Sequence, residues 1–91
     1  MKYRYRAVEK FWTSFYRLTP PQKESCRKAW LIFKENPFDS RLRPHKIQRL
    51  SARYGRTIYS ATIEDNLRLL FYTEGEIVIS LIVGRHEIYE D

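Results

Sequence analysis

Three side chains in the C-terminal third of this 91-residue chain are of the types that phosphate chemistry uses: Arg68, His86 and Tyr89. Arginine carries a permanent charge on a planar fork that matches two phosphate oxygens at once. Histidine titrates near neutral pH and can give or take a proton there. A tyrosine at the rim of a site can stack on an unpaired base. A second group precedes them in the chain. Residues 37–56 hold Arg41, Arg43, His45, Lys46, Arg49, Arg53 and Arg56 against a single acid, Asp39. This is the densest positive charge in the sequence, and such a stretch attracts phosphate. Arg85 adds a cation directly beside His86.

The whole composition leans the same way. Lysine and arginine total 17 against 11 acids, a formal charge of +6, which favours an anionic partner such as nucleic acid. The single cysteine, Cys26, excludes an intramolecular disulfide and a C-x-x-C zinc pair. It falls within an apolar helical pattern and reads as a buried structural thiol. The residues call for neither a metal nor a cofactor. Met1-Lys2-Tyr3-Arg4-Tyr5-Arg6 has no apolar run behind its charges, so it does not read as a signal peptide. No segment approaches the roughly 20 apolar residues of a membrane helix. These features predict a cytoplasmic protein. Its length predicts one domain over residues 1–91.

Positioning those side chains falls to an α+β arrangement. Residues 2–6 alternate like a short strand. Val8, Phe11, Trp12, Phe15 and Leu18 then form one apolar stripe, which predicts a helix over about 7–18. Thr19-Pro20-Pro21-Gln22 is a capping box with proline at the first helical position. It opens a second helix over about 20–36, with Cys26, Ala29, Trp30 and Phe33 inward and Pro37 closing it. The short connection predicts an antiparallel helical hairpin. Residues 37–56 read as irregular, anchored by Ile47 and Leu50, with a turn at Gly55. Three strands follow as an antiparallel meander, over about 57–63, 67–73 and 76–83.

Loop lengths imply a register. A three-residue turn at Glu64-Asp65-Asn66 sets Thr62 opposite Arg68 and Ser60 opposite Leu70. A second at Thr73-Glu74-Gly75 sets Tyr72 opposite Glu76 and Arg68 opposite Ser80. One face then gathers Tyr59, Ala61, Ile63, Leu67, Leu69, Phe71, Ile77, Ile79, Leu81 and Val83, and packs on the helices. The other gathers Ser60, Thr62, Arg68, Leu70, Tyr72, Val78, Ser80 and Ile82, with the arginine exposed.

The order strand, helix, helix and strand meander resembles the RelE/ParE superfamily of type II toxin–antitoxin toxins. The residues that carry the resemblance are Pro37, the basic segment Pro44-His45-Lys46-Ile47-Gln48-Arg49-Leu50, the strand Leu67-Arg68-Leu69-Leu70-Phe71-Tyr72, and Val83-Gly84-Arg85-His86-Glu87-Ile88-Tyr89. The resemblance spans nearly the whole chain. It implies an mRNA interferase, an endoribonuclease that halts translation by cleaving mRNA, on the ribosome in some members and free of it in others. The nucleophile is the RNA's own 2′-hydroxyl, and no metal takes part. Arg68 then matches the arginine on the scissile phosphate, His86 the general acid, Tyr89 a base-stacking tyrosine and Arg85 a basic neighbour. His45, Lys46, Arg49, Arg53 and Arg56 would add RNA contacts.

The same resemblance implies a cognate antitoxin as partner, wrapping the helices and the basic sheet face. The exposed side of the first helix, with Glu9, Lys10, Thr13 and Arg17, is a candidate contact. One departure leaves the mechanism open. Several members place Lys, His or Glu on the strand before the conserved arginine, where this chain has Ser60, Ala61 and Thr62. The general base is therefore unassigned, with His45 a candidate if its loop folds over the sheet. Two other readings stand beside the nuclease: a ParE-like toxin that inhibits DNA gyrase, and a catalytically weak, antitoxin-binding relative.

Overall fold

Thr19, Pro20 and Gln22 start a helix as their chemistry dictates. The Thr19 hydroxyl accepts from the Gln22 amide at 3.3 Å, and the Gln22 side chain accepts from the Thr19 amide at 2.9 Å. The donors are satisfied reciprocally. In the computed structural model, which describes residues 3–89 apart from the side chain of His86, this helix, α2, spans Pro20–Phe33. It ends earlier than its sequence pattern predicts. The preceding helix, α1, spans Glu9–Tyr16 and is also shorter than expected. Val8 stays extended because its amide still donates to the Ser80 carbonyl at 3.1 Å, continuing the first strand.

That strand, β1, covers Arg4–Ala7 and is followed in the chain by α1 and α2. Next come β2 (His45–Lys46), α3 (Gln48–Tyr54), β3 (Tyr59–Glu64), β4 (Leu67–Glu74) and β5 (Ile77–Gly84). They form one sheet in the order β1-β5-β4-β3-β2. β1 runs parallel to β5, and the other pairs are antiparallel. The α+β class and the C-terminal meander agree with the sequence reading.

The region 37–56 is more regular than expected. β2 and α3 both lie within it, and α3 follows from a short amphipathic spacing. Ile47, Leu50, Ser51 and Tyr54 stand at i, i+3, i+4 and i+7. Gly55 ends α3 in the left-handed region at φ 68°, which a glycine adopts without strain. The Ser51 hydroxyl donates to the Ile47 carbonyl at 2.8 Å and accepts from the Ile58 amide at 2.8 Å, tying α3 to the chain entering β3.

The register differs from the expected one in two places. Both hairpin loops are shorter by one residue, with Glu64 paired to Leu67 and Glu74 to Ile77. Each strand absorbs the difference as an extra residue: Ile63 in β3 and Leu81 in β5. β3 and β4 still pair as predicted at Ser60–Leu70 and Thr62–Arg68. β5 does not. Its turn-proximal half is inverted relative to the prediction, so Val78 and Ser80 face the helices and Ile79 faces away. The bulge at Leu81 then restores the parity, and Arg68 lies opposite Gly84 rather than Ser80.

Each sheet face has its own core. On one side Phe33 of α2 meets Ala61, Leu67, Leu69, Phe71, Val78 and Val83, with Phe11 and Phe15 of α1 packed against them. On the other side Leu50, Ile58, Leu70 and Ile88 form a smaller cluster under α3 and the C-terminal turn. The face expected to be polar is thus partly covered, because Leu70, Tyr72 and Ile82 offer enough apolar surface to hold α3.

Two outcomes follow. Phe71 is 0 % exposed and its ring lies 5.0 Å from Phe33 and 5.5 Å from Tyr59. Phe71→Ala is expected to cost about 3–5 kcal/mol in urea unfolding. Cys26 is the second. Burial, with a smaller push from Glu64, raises its thiol from 9.0 to about 11. The folded chain therefore favours the neutral thiol. That stabilisation is complete below pH 9 and is lost as pH rises through about 11. Iodoacetamide labelling of Cys26 in the native chain should show a midpoint near pH 11, moving towards 9 in urea.

Candidate nucleic-acid interface

Arg68 sits in β4 between Thr62 of β3 and Gly84 of β5. Its Nη1 donates to the Glu64 carbonyl at 2.6 Å and to the Leu67 carbonyl at 3.3 Å. These main-chain acceptors hold the guanidinium over the β3–β4 turn. A guanidinium has five N–H donors, so an edge remains for an anion. Gly84 opposite it leads straight into Arg85 and the 3-10 turn His86–Tyr89. The register therefore brings Arg68 beside the turn that carries His86, closer than the predicted pairing would have done. The His86 side chain itself lies outside the described residues.

The C-terminal turn is fastened to the sheet. The Ile88 amide donates to the Arg85 carbonyl at 3.1 Å, and the Ile88 side chain is buried under α3. The Tyr89 hydroxyl and the Ser60 hydroxyl are 2.8 Å apart, with Ser60 fully buried. Arg49 of α3 donates to the Tyr89 carbonyl at 3.4 Å. Tyr89 is half-buried and engaged with Ser60, so here it anchors the turn. Gly84 is what lets the turn close: a Cβ there would lie 2.6 Å from Ile88 Cγ2. Neither the Ser60–Tyr89 link nor this need for glycine was legible beforehand. The visible signals were a serine in an otherwise apolar strand and a glycine before a basic pair.

His45 joins this face. Rather than lying in a loop, it pairs with Ser60 as part of β2, and opposed residues of antiparallel strands share a face. Its Nδ1 lies 3.3 Å from the Arg43 carbonyl. That acceptor favours the tautomer with hydrogen on Nδ1 and leaves Nε2 to accept a proton. Two strands and a two-residue offset separate the backbones of His45 and Arg68 by about 12 Å, a gap that two long side chains and a phosphate can fill.

The remaining basic residues divide. Arg49 and Arg53 are one turn apart on α3, exposed beside this face. Arg85 is exposed next to the C-terminal turn. Lys46 alternates with His45, pairs with Tyr59, and so belongs to the opposite face. Arg56 lies 4.3 Å over the Tyr72 ring and 3.3 Å from Glu74. Glu74 is six residues along β4 from Arg68, about 20 Å away. Lys46 therefore does not join the cluster, whereas Arg56 stays on the Arg68 face, stacked on Tyr72 and paired with Glu74 towards the far end of β4. Arg41 is held by Asp39 through two bonds of 3.0 Å, which lower the Asp39 carboxyl to about 2. Among the described residues no group of three or more His, Cys, Asp or Glu could hold a metal ion. No helix among them is long and apolar enough to cross a membrane.

No protein-family model matches the sequence, and no curated protein sequence matches it. Solved structures do. The toxin of the RelE–RelB complex from the archaeon Pyrococcus horikoshii superposes with a TM-score of 0.71 at 13% identity, over 93% of this chain and 96% of that one. This chain has the RelE fold. A copper-bound mutant toxin from Helicobacter pylori shares it at TM-score 0.66 and 14% identity, over 94% and 97% of the two chains. YafQ from E. coli does so in its DinJ–YafQ complex at TM-score 0.65 and 16% identity, over 96% and 97%. At these identities the RelE fold is what is shared.

Gly84→Ala provides a test of the fastened turn. The new Cβ must displace Ile88, at roughly 1–3 kcal/mol. Hydrogen exchange at the Ile88 amide should accelerate, while exchange in β4 changes little.

Proposed function

We propose that this chain is the toxin of a toxin–antitoxin pair and cleaves RNA, without a metal, on the sheet face that bears Arg68 and His45. The observation that carries this reading is the register at Thr62–Arg68–Gly84. It sets a phosphate-matching arginine beside the turn that begins at His86, on the face His45 shares. The RelE fold supports the toxin role, and two of the matching toxins were solved as RelE–RelB and DinJ–YafQ complexes. A protein antitoxin is the corresponding partner here.

In this mechanism the RNA 2′-hydroxyl attacks the adjacent phosphorus. His45 takes the hydroxyl proton on Nε2. Arg68 balances the charge gathering on the phosphoryl oxygens, which is where a preorganised cation contributes most. His86 gives a proton to the departing 5′-oxygen. The products are a 2′,3′-cyclic phosphate and a free 5′-hydroxyl, so protons and electrons balance. Arg49, Arg53 and Arg85 attract the flanking backbone, and Tyr89 holds the C-terminal turn in place.

RNA cleavage by purified variants tests the assignment. Arg68→Ala should lower the rate by about 100-fold or more, as losing a transition-state charge partner does. His45→Ala and His86→Ala should each lower it by about 100-fold and flatten opposite limbs of the pH–rate profile. Lys46→Ala, on the other face, should leave it near the parent value. Cells arrested by the parent chain with intact mRNA and altered DNA supercoiling would instead identify a gyrase-directed toxin. Toxicity undiminished in both Arg68→Ala and His86→Ala would place the working surface elsewhere.

A further inference from the structure

Arg56 stands on the Arg68 face but takes no part in the cleavage mechanism. Its Cζ lies 4.3 Å over the centre of the Tyr72 ring, and its Nη1 lies 3.3 Å from a Glu74 carboxylate oxygen. Tyr72 and Glu74 follow Arg68 in β4 at i+4 and i+6, so the three share one side of the sheet. The backbone delivers the side chain there. Gly55 ends α3 in the left-handed region, and the Arg56 amide still donates to the Ser51 carbonyl at 3.2 Å. Arg56 is thus fixed to the end of α3, with its guanidinium directed onto the ring.

Stability does not account for this arrangement. The Arg56 and Glu74 side chains are 43% and 59% exposed, and an ion pair that open is worth little. What the two contacts achieve is to confine a flexible side chain to one orientation. Tyr72 supports the guanidinium from below, while Glu74 occupies part of its edge and offsets its charge. A phosphate would have to compete with that carboxylate. An unpaired base would not, because bases stack on the plane of a guanidinium as they do on aromatic rings.

The spacing suits a single strand. Tyr72 is four residues along β4 from Arg68, about 13 Å. At the roughly 3.4 Å rise of a stacked strand, this is about four nucleotides, and fewer if the strand is extended. Arg6 pairs with Ile79, which pairs in turn with Tyr72, so an exposed cation for the backbone lies in the same row. We propose that Arg56, held on the Tyr72 ring, is a stacking platform for an unpaired RNA base about two to four nucleotides from the phosphate at Arg68. The chain then grips a stretch of single strand rather than one scissile step. The inference rests on the reading that the Arg68 face takes RNA.

Binding of a 2′-O-methyl octaadenylate tests this, because methylation blocks the attacking hydroxyl and no cleavage intervenes. The comparison is the same sugar–phosphate octamer without bases. The parent chain should bind the adenylate about tenfold more tightly than the abasic octamer. Arg56→Ala should remove most of that difference and leave abasic binding near the parent value, which also shows that the variant is folded. Arg56→Lys should do the same, since an ammonium offers no plane. Equal weakening of both octamers by Arg56→Ala would make Arg56 a charge contact and overturn the proposal. So would an Arg56→Ala chain that keeps the preference, or an Arg56→Lys chain that binds the adenylate like the parent. Arg68→Ala should weaken both octamers alike. If it weakened neither while the Arg56 variants behaved as expected, the Arg68 assignment would fail on its own, with the stacking contact intact. A parent chain that bound neither octamer would overturn both.

Discussion

The architecture depends on β4 being buried from both sides. Phe71 and Leu69 close the helix-side core, and Leu70 closes the smaller one under α3. A strand in this position cannot slip by one residue without exchanging two incompatible sets of neighbours. Its alternation is therefore fixed by packing on both faces. Arg68 is the charged residue it carries where the second core gives out, at the end near the β3–β4 turn. Its exposure there is a consequence of where the apolar cover stops.

The site is assembled around that fixed strand by short-range fastenings. Ser51 joins α3 to the start of β3, Ser60 joins the sheet to Tyr89, and Ser14 of α1 accepts from the Val83 amide at 3.0 Å just before Gly84. Each is a small hydroxyl spent on a specific donor or acceptor, and each holds a segment adjoining the basic face. The cations themselves are mostly on α3 and in the C-terminal turn, which are thus the parts most directly governed by these contacts. α1 and α2 serve the opposite face, where Trp12 and Trp30 are left partly exposed.

Much of this was legible in the sequence where one physical preference dominated. The Thr19–Gln22 capping box, the class of every major element and the Thr62–Arg68 pairing all followed from local rules. The β5 register did not, because two loops of nearly equal plausibility differ by one residue and the sheet absorbs the difference in bulges. Leu81 and Ile63, the bulged residues, are ordinary strand formers with no composition to mark them. α3 was missed because a seven-residue helix leaves only two turns of periodicity, and Pro44 beside it reads as loop. The roles of Lys46 and Arg56 followed from their charge alone, whereas strand alternation and the pairing with Glu74 decide where they point. Tyr89 was assigned to stacking by resemblance, and the structure gives its hydroxyl to Ser60.

The outer strands carry a consequence for how this basic chain behaves at high concentration. A sheet edge is a template for another strand, and long flat edges invite ordered aggregation. Here β2 is two residues long and is entered from Arg43, a non-glycine residue in the left-handed region at φ 47°. The chain swings away into α3 before a further strand could gain a register. At the other edge β1 is four residues long, with Arg4 and Arg6 exposed along it. Both borders are too short and too charged to be extended, so the sheet stops at five strands and the molecule is protected from polymerising through its own backbone.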